Sequence, residues 1–353
     1  MSAPGGPLAG ERARRVTWRR SAIAVGVIRT TWHSRTMIDI PCPLCESREW
    51  VPVGVLQDRL LGIDGEFRMV RCLDCGLHYL NPQPTRAELV RYYPEEYDPF
   101  LVPAPHRLSP WQRQSLGYGL RKRCRAVTRY KEAGRLLEVG CATGLFLDAM
   151  RATGKWQVQG VDVSEPAVHQ AREQFGLEVF QGTLQEARFP AASYDAVAMW
   201  DVLEHVPNPK ETVREVCRVL KPDGVFVFRV PVLDGWDRRL FGPLWAGWDA
   251  PRHLTAFSRQ TIDTLLSQAG LRVQRAACTA GSYHAVALGL RFWARGRLST
   301  AGQKRVRRIL EALPVRVATA PFFYLADRLG KSTLVTVVAR PAGQGATTTR
   351  GNR

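Results

Sequence analysis

From residue 135 onward, short apolar runs alternate with helix-like segments, and this rhythm limits the fold more than any other feature of the chain. Arg135–Val139, Val158–Val163, Leu177–Phe180, Tyr194–Trp200 and Val225–Val230 read as strands. Helices are expected at Gly144–Thr153, Glu165–Phe175, Lys210–Leu220 and Thr261–Ala269, and Leu271–Cys278 and Leu334–Arg340 complete a set of seven strands. Tyr194–Trp200 is apolar except for Asp195, as suits a strand covered on both sides. Strand–helix alternation of this kind predicts an α/β fold, a doubly wound, seven-stranded, mostly parallel sheet with helices on both faces. Ligands of such sheets sit beyond the carboxyl ends of the strands, near the point where strand order reverses.

The first strand runs into Leu137-Glu138-Val139-Gly140-Cys141-Ala142-Thr143-Gly144. A glycine-rich turn between strand and helix lets backbone come close to a ligand, and the following helix offers free N–H groups. A dinucleotide fingerprint would read G-x-G-x-x-G. Here Ala142 stands between Gly140 and Gly144, and Leu145 takes the third glycine's place. The acidic Glu138 would repel a pyrophosphate but suits an ammonium group. The turn thus favours a cationic ligand without phosphates. The second strand ends in Gly160-Val161-Asp162, a carboxylate placed to accept hydrogen bonds from two ribose hydroxyls. Taken singly, Glu138 could be a solvated strand end and Asp162 a helix cap.

Together with the fourth-strand segment Trp200-Asp201-Val202-Leu203-Glu204-His205-Val206-Pro207, these residues resemble the class I S-adenosylmethionine-dependent methyltransferases. The likeness covers about residues 135–278 and the last strand near 334–340. The LEHVPNP stretch and the later KPDG turn are similar to members that methylate small molecules, quinone precursors among them. The resemblance implies S-adenosylmethionine as cofactor, with Glu138 and Gly140 at its methionine end, Cys141 and Gly144 as further cofactor-binding residues of the same loop, Asp162 on the ribose and Asp201 beside the sulfonium and the acceptor. It departs from the family pattern after the third strand, where an acidic residue often meets the adenine. Thr183 stands there, and its hydroxyl is the candidate contact.

Upstream, Cys42-Pro-Leu-Cys45 and Cys72-Leu-Asp-Cys75 form two C-x-x-C pairs with 26 residues between them. Two such pairs suit one tetrahedral four-cysteine zinc site, and four protein ligands would make the metal structural rather than catalytic. A redox dithiol or two disulfides are weaker readings, since no thioredoxin-like pattern surrounds either pair. His78 is close in sequence but is not expected as a ligand. The front end C-P-x-C, R-C-x-x-C-G-L-x-Y-x-N-P-x-P and Y-Y-P-x-x-Y resembles a bacterial methyltransferase group with an N-terminal zinc ribbon, associated with sugars, glycans and secondary metabolites.

Methyl transfer is an in-line displacement, so the protein's tasks are to position a nucleophile and, for a hydroxyl, to take its proton. Residues 231–257 are expected to form a lid over the cofactor. It carries Trp236, Trp245, Trp248, Asp249, Arg252 and His253. His253 is the first candidate base and His205 the second; each could equally be a hydrogen-bonded structural histidine. A basic helical insertion, 285–331, precedes the last strand, with Val306, Ile309, Leu310 and Leu313 at helical spacing. It is either a cap on the sheet or a peripheral contact with an anionic membrane surface.

The net charge of +18 is unevenly spread. Residues 1–36 hold seven arginines against one glutamate, residues 285–331 ten basic groups against two acidic ones, and residues 37–284 thirty against twenty-nine. A near-neutral centre argues against a catalytic face built to hold long nucleic acid. The expected organisation is 1–36 as a disordered basic extension or sequence before a true start at Met37, 38–82 as the zinc ribbon, 83–132 as a Pro/Tyr-rich strap and helical linker, 133–340 as the methyltransferase domain and 341–353 as a disordered tail. A cytoplasmic location is expected, with the inner membrane surface as a peripheral site. The expected acceptor is a small molecule, sugar or glycan, taken on oxygen. An RNA methyltransferase is the alternative, though no Asn/Asp-Pro-Pro-Tyr motif follows the fourth strand. A non-catalytic zinc-ribbon binding module is the other, and the Glu138–Gly140 and Asp162 pattern counts against it.

Overall fold

The computed structural model describes residues 37–94, 109–278 and 282–343. The expected extension (1–36), part of the strap, and all but the first three residues of the expected tail lie outside these. The described residues fall within one compact unit.

The catalytic sheet has seven strands in the order β12-β13-β10-β9-β6-β7-β8. They are β6 (Gly134–Val139), β7 (Trp156–Asp162), β8 (Val179–Gln181), β9 (Tyr194–Trp200), β10 (Leu220–Pro231), β12 (Leu271–Cys278) and β13 (Leu334–Pro341). β6 pairs in parallel with β7 and β9, β7 with β8, and β9 with β10; β13 runs antiparallel to both β10 and β12. Strand order reverses between β6 and β9, which puts a crevice beyond their carboxyl ends. The Lys221–Gly224 turn expected after the Lys210–Leu220 helix is instead absorbed into β10, as a break in its register with β9.

Alternation along the strands separates two cores. Leu136, Ala196, Ala198, Val225 and Val227 point to one face, against α2 (Pro110–Thr128), α3 (Leu145–Arg151) and α4 (Glu165–Phe175). Leu137, Val197, Met199, Phe226 and Phe228 point to the other, against α5 (Pro209–Val219) and α7 (Arg259–Gln268). α5 shows why such a segment is a helix: Asn208 caps it, proline opens it, and Thr212, Val213, Val216 and Val219 form its buried stripe.

The cysteine module is a second sheet, β11-β4-β3-β2, made of β2 (Trp50–Leu56), β3 (Phe67–Cys72), β4 (His78–Leu80) and the late strand β11 (Thr255–Ala256). Beside it, β1 (Met37–Ile38) pairs with β5 (Gln83–Pro84), and α1 (Arg86–Val90) follows. β11 belongs to the segment expected as a lid, and its pairing with β4 ties that segment to the module. The lid expectation is corrected at its tryptophans. Trp245 and Trp248 are buried with Leu56, Phe67, Met69 and Leu80 of the module, because an indole gains most where it leaves water entirely. α6 (Trp236–Phe241) lies in the same segment.

The insertion is three helices, α8 (Ser282–Arg295), α9 (Thr300–Glu311) and α10 (Leu313–Arg328). The single stripe expected through Val306–Leu313 is broken at Ala312, where the backbone turns extended and Pro314 opens a new helix.

Candidate active site

A cavity of about 850 Å³ opens at the reversal of strand order. Glu138, Gly140, Cys141, Ala142 and Thr143 of the β6–α3 turn form one wall, with Trp200 and Asp201 at the end of β9. His205, Arg229 of β10 and His253 line it further along, and Arg123 of α2 and Arg275 of β12 complete the rim.

The turn has little freedom. Gly140 has φ +70°, and a Cβ there would lie 2.4 Å from Val202 Cγ2. Gly144 has φ +81° and starts α3 without lining the cavity; its Cβ would strike Leu177 at 2.4 Å. Both positions therefore require glycine. The Cys141 side chain packs beneath Gly160, and burial pushes its thiol well above the ordinary range. Glu138 is 3% exposed, and its carboxyl Oε2 is buried with no hydrogen-bond partner among the described residues. Burial drives its pKa well above the usual carboxylate value, with Arg123 opposing the shift and Asp162 adding to it. An unsatisfied buried carboxylate oxygen at a cavity wall fits a ligand ammonium group, the donor that S-adenosylmethionine would bring.

Two more of the expected cofactor residues are engaged with the protein itself. Asp162 does not line the cavity; its oxygens accept the N–H groups of Ala142 and Ser164, each at 2.8 Å. It thus ties the glycine turn to the start of α4. Burial raises its pKa, against those backbone bonds. Thr183 also lies outside the lining, and its hydroxyl donates to Glu186 at 2.9 Å.

Asp201 lines the cavity in the left-handed region, φ +59°, with its carboxylate already engaged. Arg229 grips both its oxygens, through Nε at 2.8 Å to one and Nη2 to the other, and Arg123 approaches to 3.9 Å. Burial alone would raise the Asp201 pKa, but the two guanidiniums hold it below the ordinary range.

His205 and His253 meet edge to face, ring centroids 4.6 Å apart. His205 Nδ1 lies 2.9 Å from the Tyr93 hydroxyl. Burial, and then His253, lower the His205 pKa to about 3, so this ring is neutral. His253 Nδ1 is 2.9 Å from the Gly247 carbonyl, which can only accept, so Nδ1 carries the proton and Nε2 the lone pair. Nε2 stands 4.0 Å from both Glu204 and Asp249. Glu204 is 1% exposed, and burial, reinforced by Asp201, raises its pKa well above the usual value.

His253 is held from behind. The neighbouring Arg252 is fully buried; its guanidinium bonds Asp58 at 2.6 Å, Asp249 at 2.8 Å and the Tyr92 carbonyl at 3.1 Å. Asp58 and Tyr92 come from the amino-terminal part of the chain, so the cysteine module's side of the fold orients the segment that carries His253.

In the module, Cys42 Sγ and Cys75 Sγ are 3.4 Å apart, as are those of Cys45 and Cys72, and all four sulfurs lie within 4.8 Å of one another. A tetrahedral site with Zn–S near 2.3 Å needs sulfurs about 3.8 Å apart, so the set fits zinc. Backbone N–H groups of Leu44 and Cys45 face Cys42, and that of Leu77 faces Cys75. His78 is outside the cluster, its Nδ1 3.1 Å from the Gly76 carbonyl.

Sequence reasoning missed Arg123, Arg229 and Tyr93, and gave Glu204 and Arg252 no role beyond their places in the fourth-strand segment and the lid. Arg229 was the most legible, a lone charge in the apolar strand VFVFRV. Arg252 left no sequence trace of its partner Asp58, 194 positions earlier.

The fold and cavity define a class I S-adenosylmethionine-dependent methyltransferase domain. A family model described as a methyltransferase domain matches residues 96–276, and the chain belongs to that family. Among curated relatives, a probable S-adenosylmethionine-dependent methyltransferase of Mycolicibacterium smegmatis is 32% identical over 161 residues, 44% of this chain and 58% of that protein. A ubiquinone biosynthesis O-methyltransferase of Azoarcus is 39% identical over 100 residues, 27% of this chain and 42% of that one. The chain thus spans about half the length of these relatives. A solved geranyl diphosphate C-methyltransferase of Streptomyces coelicolor is 12% identical, over 65% of this chain and 82% of that one, with a TM-score of 0.46.

Proposed function

We propose that this chain transfers a methyl group from S-adenosylmethionine to a hydroxyl of a small, negatively charged acceptor such as an acidic sugar or glycan unit. The observation that carries this reading is one cavity holding both the orphaned Glu138 carboxyl and the paired imidazoles of His205 and His253. Its lining adds Lys122, Arg123, Arg125, Arg129, Arg229 and Arg275 against the acidic Glu138 and Asp201, a field that favours an anionic acceptor. The relatives named for oxygen methylation support the choice of atom.

S-adenosylmethionine supplies a methyl carbon activated by positive sulfur. Glu138 and the backbone of the Gly140 turn would hold its amino-acid end, and Asp162 would act by keeping that turn in place. His253 takes the acceptor's proton on Nε2, since its Nδ1–H is fixed on the Gly247 carbonyl. Asp249, held below the usual carboxylate range by the Arg252 guanidinium against its burial, stabilises the resulting imidazolium. His205, neutral and anchored on Tyr93, keeps the ring upright. We also propose that zinc fills the Cys42/Cys45/Cys72/Cys75 site in a structural role.

Turnover with an acidic sugar acceptor should fall by roughly 10²–10⁴-fold in His253→Ala while S-adenosylmethionine affinity by calorimetry stays the same. His253→Gln should be equally slow. Recovery of most activity by glutamine would show that the ring only positions the acceptor.

A further inference from the structure

We infer that α9 and α10 form an amphipathic hairpin that docks the protein on an anionic lipid surface. Its helices are sparsely packed for so apolar a segment. None of the twelve residues of α9 is buried, and of the sixteen in α10 only Ala326 is. The outer side of α10 carries Leu313, Val317, Tyr324 and Leu325, 47% to 63% exposed, and no acidic side chain; its one exposed charge is Arg328. α9, bent from α10 by 63°, presents Lys304, Arg305, Arg307 and Arg308 with only Glu311 against them. Exposed apolar residues on one helix and a cationic row on the helix joined to it match the composition of a hairpin lying in the headgroup layer, with apolar residues in the acyl boundary and arginines on lipid phosphates.

The occupant follows from this pairing. A nucleic acid would use the arginines and leave Val317 and Leu325 in water. A second apolar protein surface would use those residues and leave the arginines without counter-charge. An anionic bilayer satisfies both at once. Among the described residues no single helix is long and apolar enough to cross a membrane, and the two-helix bend with a cationic first arm favours lying on the surface over spanning. α10 packs on β12, whose Arg275 and Ala277 line the cavity, so docking would bring the cavity rim beside the lipid. The inference does not depend on which acceptor the cavity takes.

The test is sedimentation of the full chain with vesicles of phosphatidylcholine alone or mixed with phosphatidylglycerol. Binding is expected only to the anionic vesicles, with release at about 0.5 M salt. Val317→Ser with Leu325→Ser, and separately Arg305→Glu with Arg308→Glu, should each weaken partitioning at least about tenfold. S-adenosylmethionine binding by calorimetry should not change in either variant, which shows that both remain folded. Equal binding to both vesicle types would overturn the inference. So would wild-type binding by both variants, which would assign adhesion to other basic segments. Loss in the charge variant alone, accompanied by lost RNA binding, would reassign the face to nucleic acid. A concentration-dependent dimer abolished by the serine variant, without vesicle binding, would reassign it to a second copy. Binding that resists salt and alkaline carbonate would indicate an inserted, bent span.

Discussion

At the scale of single residues, the site depends on carboxyls kept from water. Glu138→Gln preserves shape but removes the charge that an ammonium group needs. S-adenosylmethionine binding by calorimetry should weaken by about 1.5–3 kcal/mol, the usual worth of a hydrogen bond to a charged group. Unchanged affinity would remove Glu138 from the cofactor site. Glu204 makes a prediction about stability. Its folded pKa lies well above the unfolded value, so in the native state it binds its proton more tightly. That contribution is fully present below about pH 4.3, the unfolded carboxyl value, and is lost as pH rises toward the folded pKa. Glu204→Gln, which cannot ionise, should therefore melt higher than the parent at pH 8, and the gap should close near pH 4. An equal gap at both values would show that Glu204 is not held protonated.

At the scale of elements, the central connection is between the cysteine module and the segment that carries His253. β11 pairs with β4, and Arg252 binds Asp58 and Asp249 in the interior. Removing one member of a buried ionic cluster leaves uncompensated charge, at a cost of about 3–5 kcal/mol. Arg252→Met should lose that much in urea unfolding, while Arg252→Lys, which keeps the charge but not the forked geometry, should lose less. A loss under about 1 kcal/mol in the methionine variant would mean that the cluster does not hold the segment. The same element contact explains the tryptophans: once the segment joins the module's sheet, Trp245 and Trp248 serve its core and His253 alone reaches the cavity.

At the scale of the whole molecule, Cys42, Val70, Leu77 and Tyr79 of the module share one buried cluster with Val230, Val232 and Phe257 of the methyltransferase domain. The metal should then support both parts together. Mass spectrometry should find about one zinc per chain, lost in Cys72→Ser, and that variant should melt lower in a single transition. A separate early transition, or unchanged melting without metal, would refute this coupling. Much of this organisation is legible in the linear chain. Strand periodicity, the Glu138–Gly144 turn and the cysteine spacing are local patterns, set by backbone geometry within a few residues or by metal-ligand distances. They were enough for the seven-stranded sheet and the four-sulfur cluster, while the cofactor came from the family resemblance that the turn and the strand ends carry. What only the tertiary structure decided is the pairing of residues far apart in sequence: Arg229 and Arg123 on Asp201, Arg252 on Asp58, and Tyr93 on His205. It also decided that Asp162 ties the turn to the start of α4 and that Trp245 and Trp248 face inward. Such choices depend on which buried groups find partners after the chain has collapsed, and no local pattern encodes that.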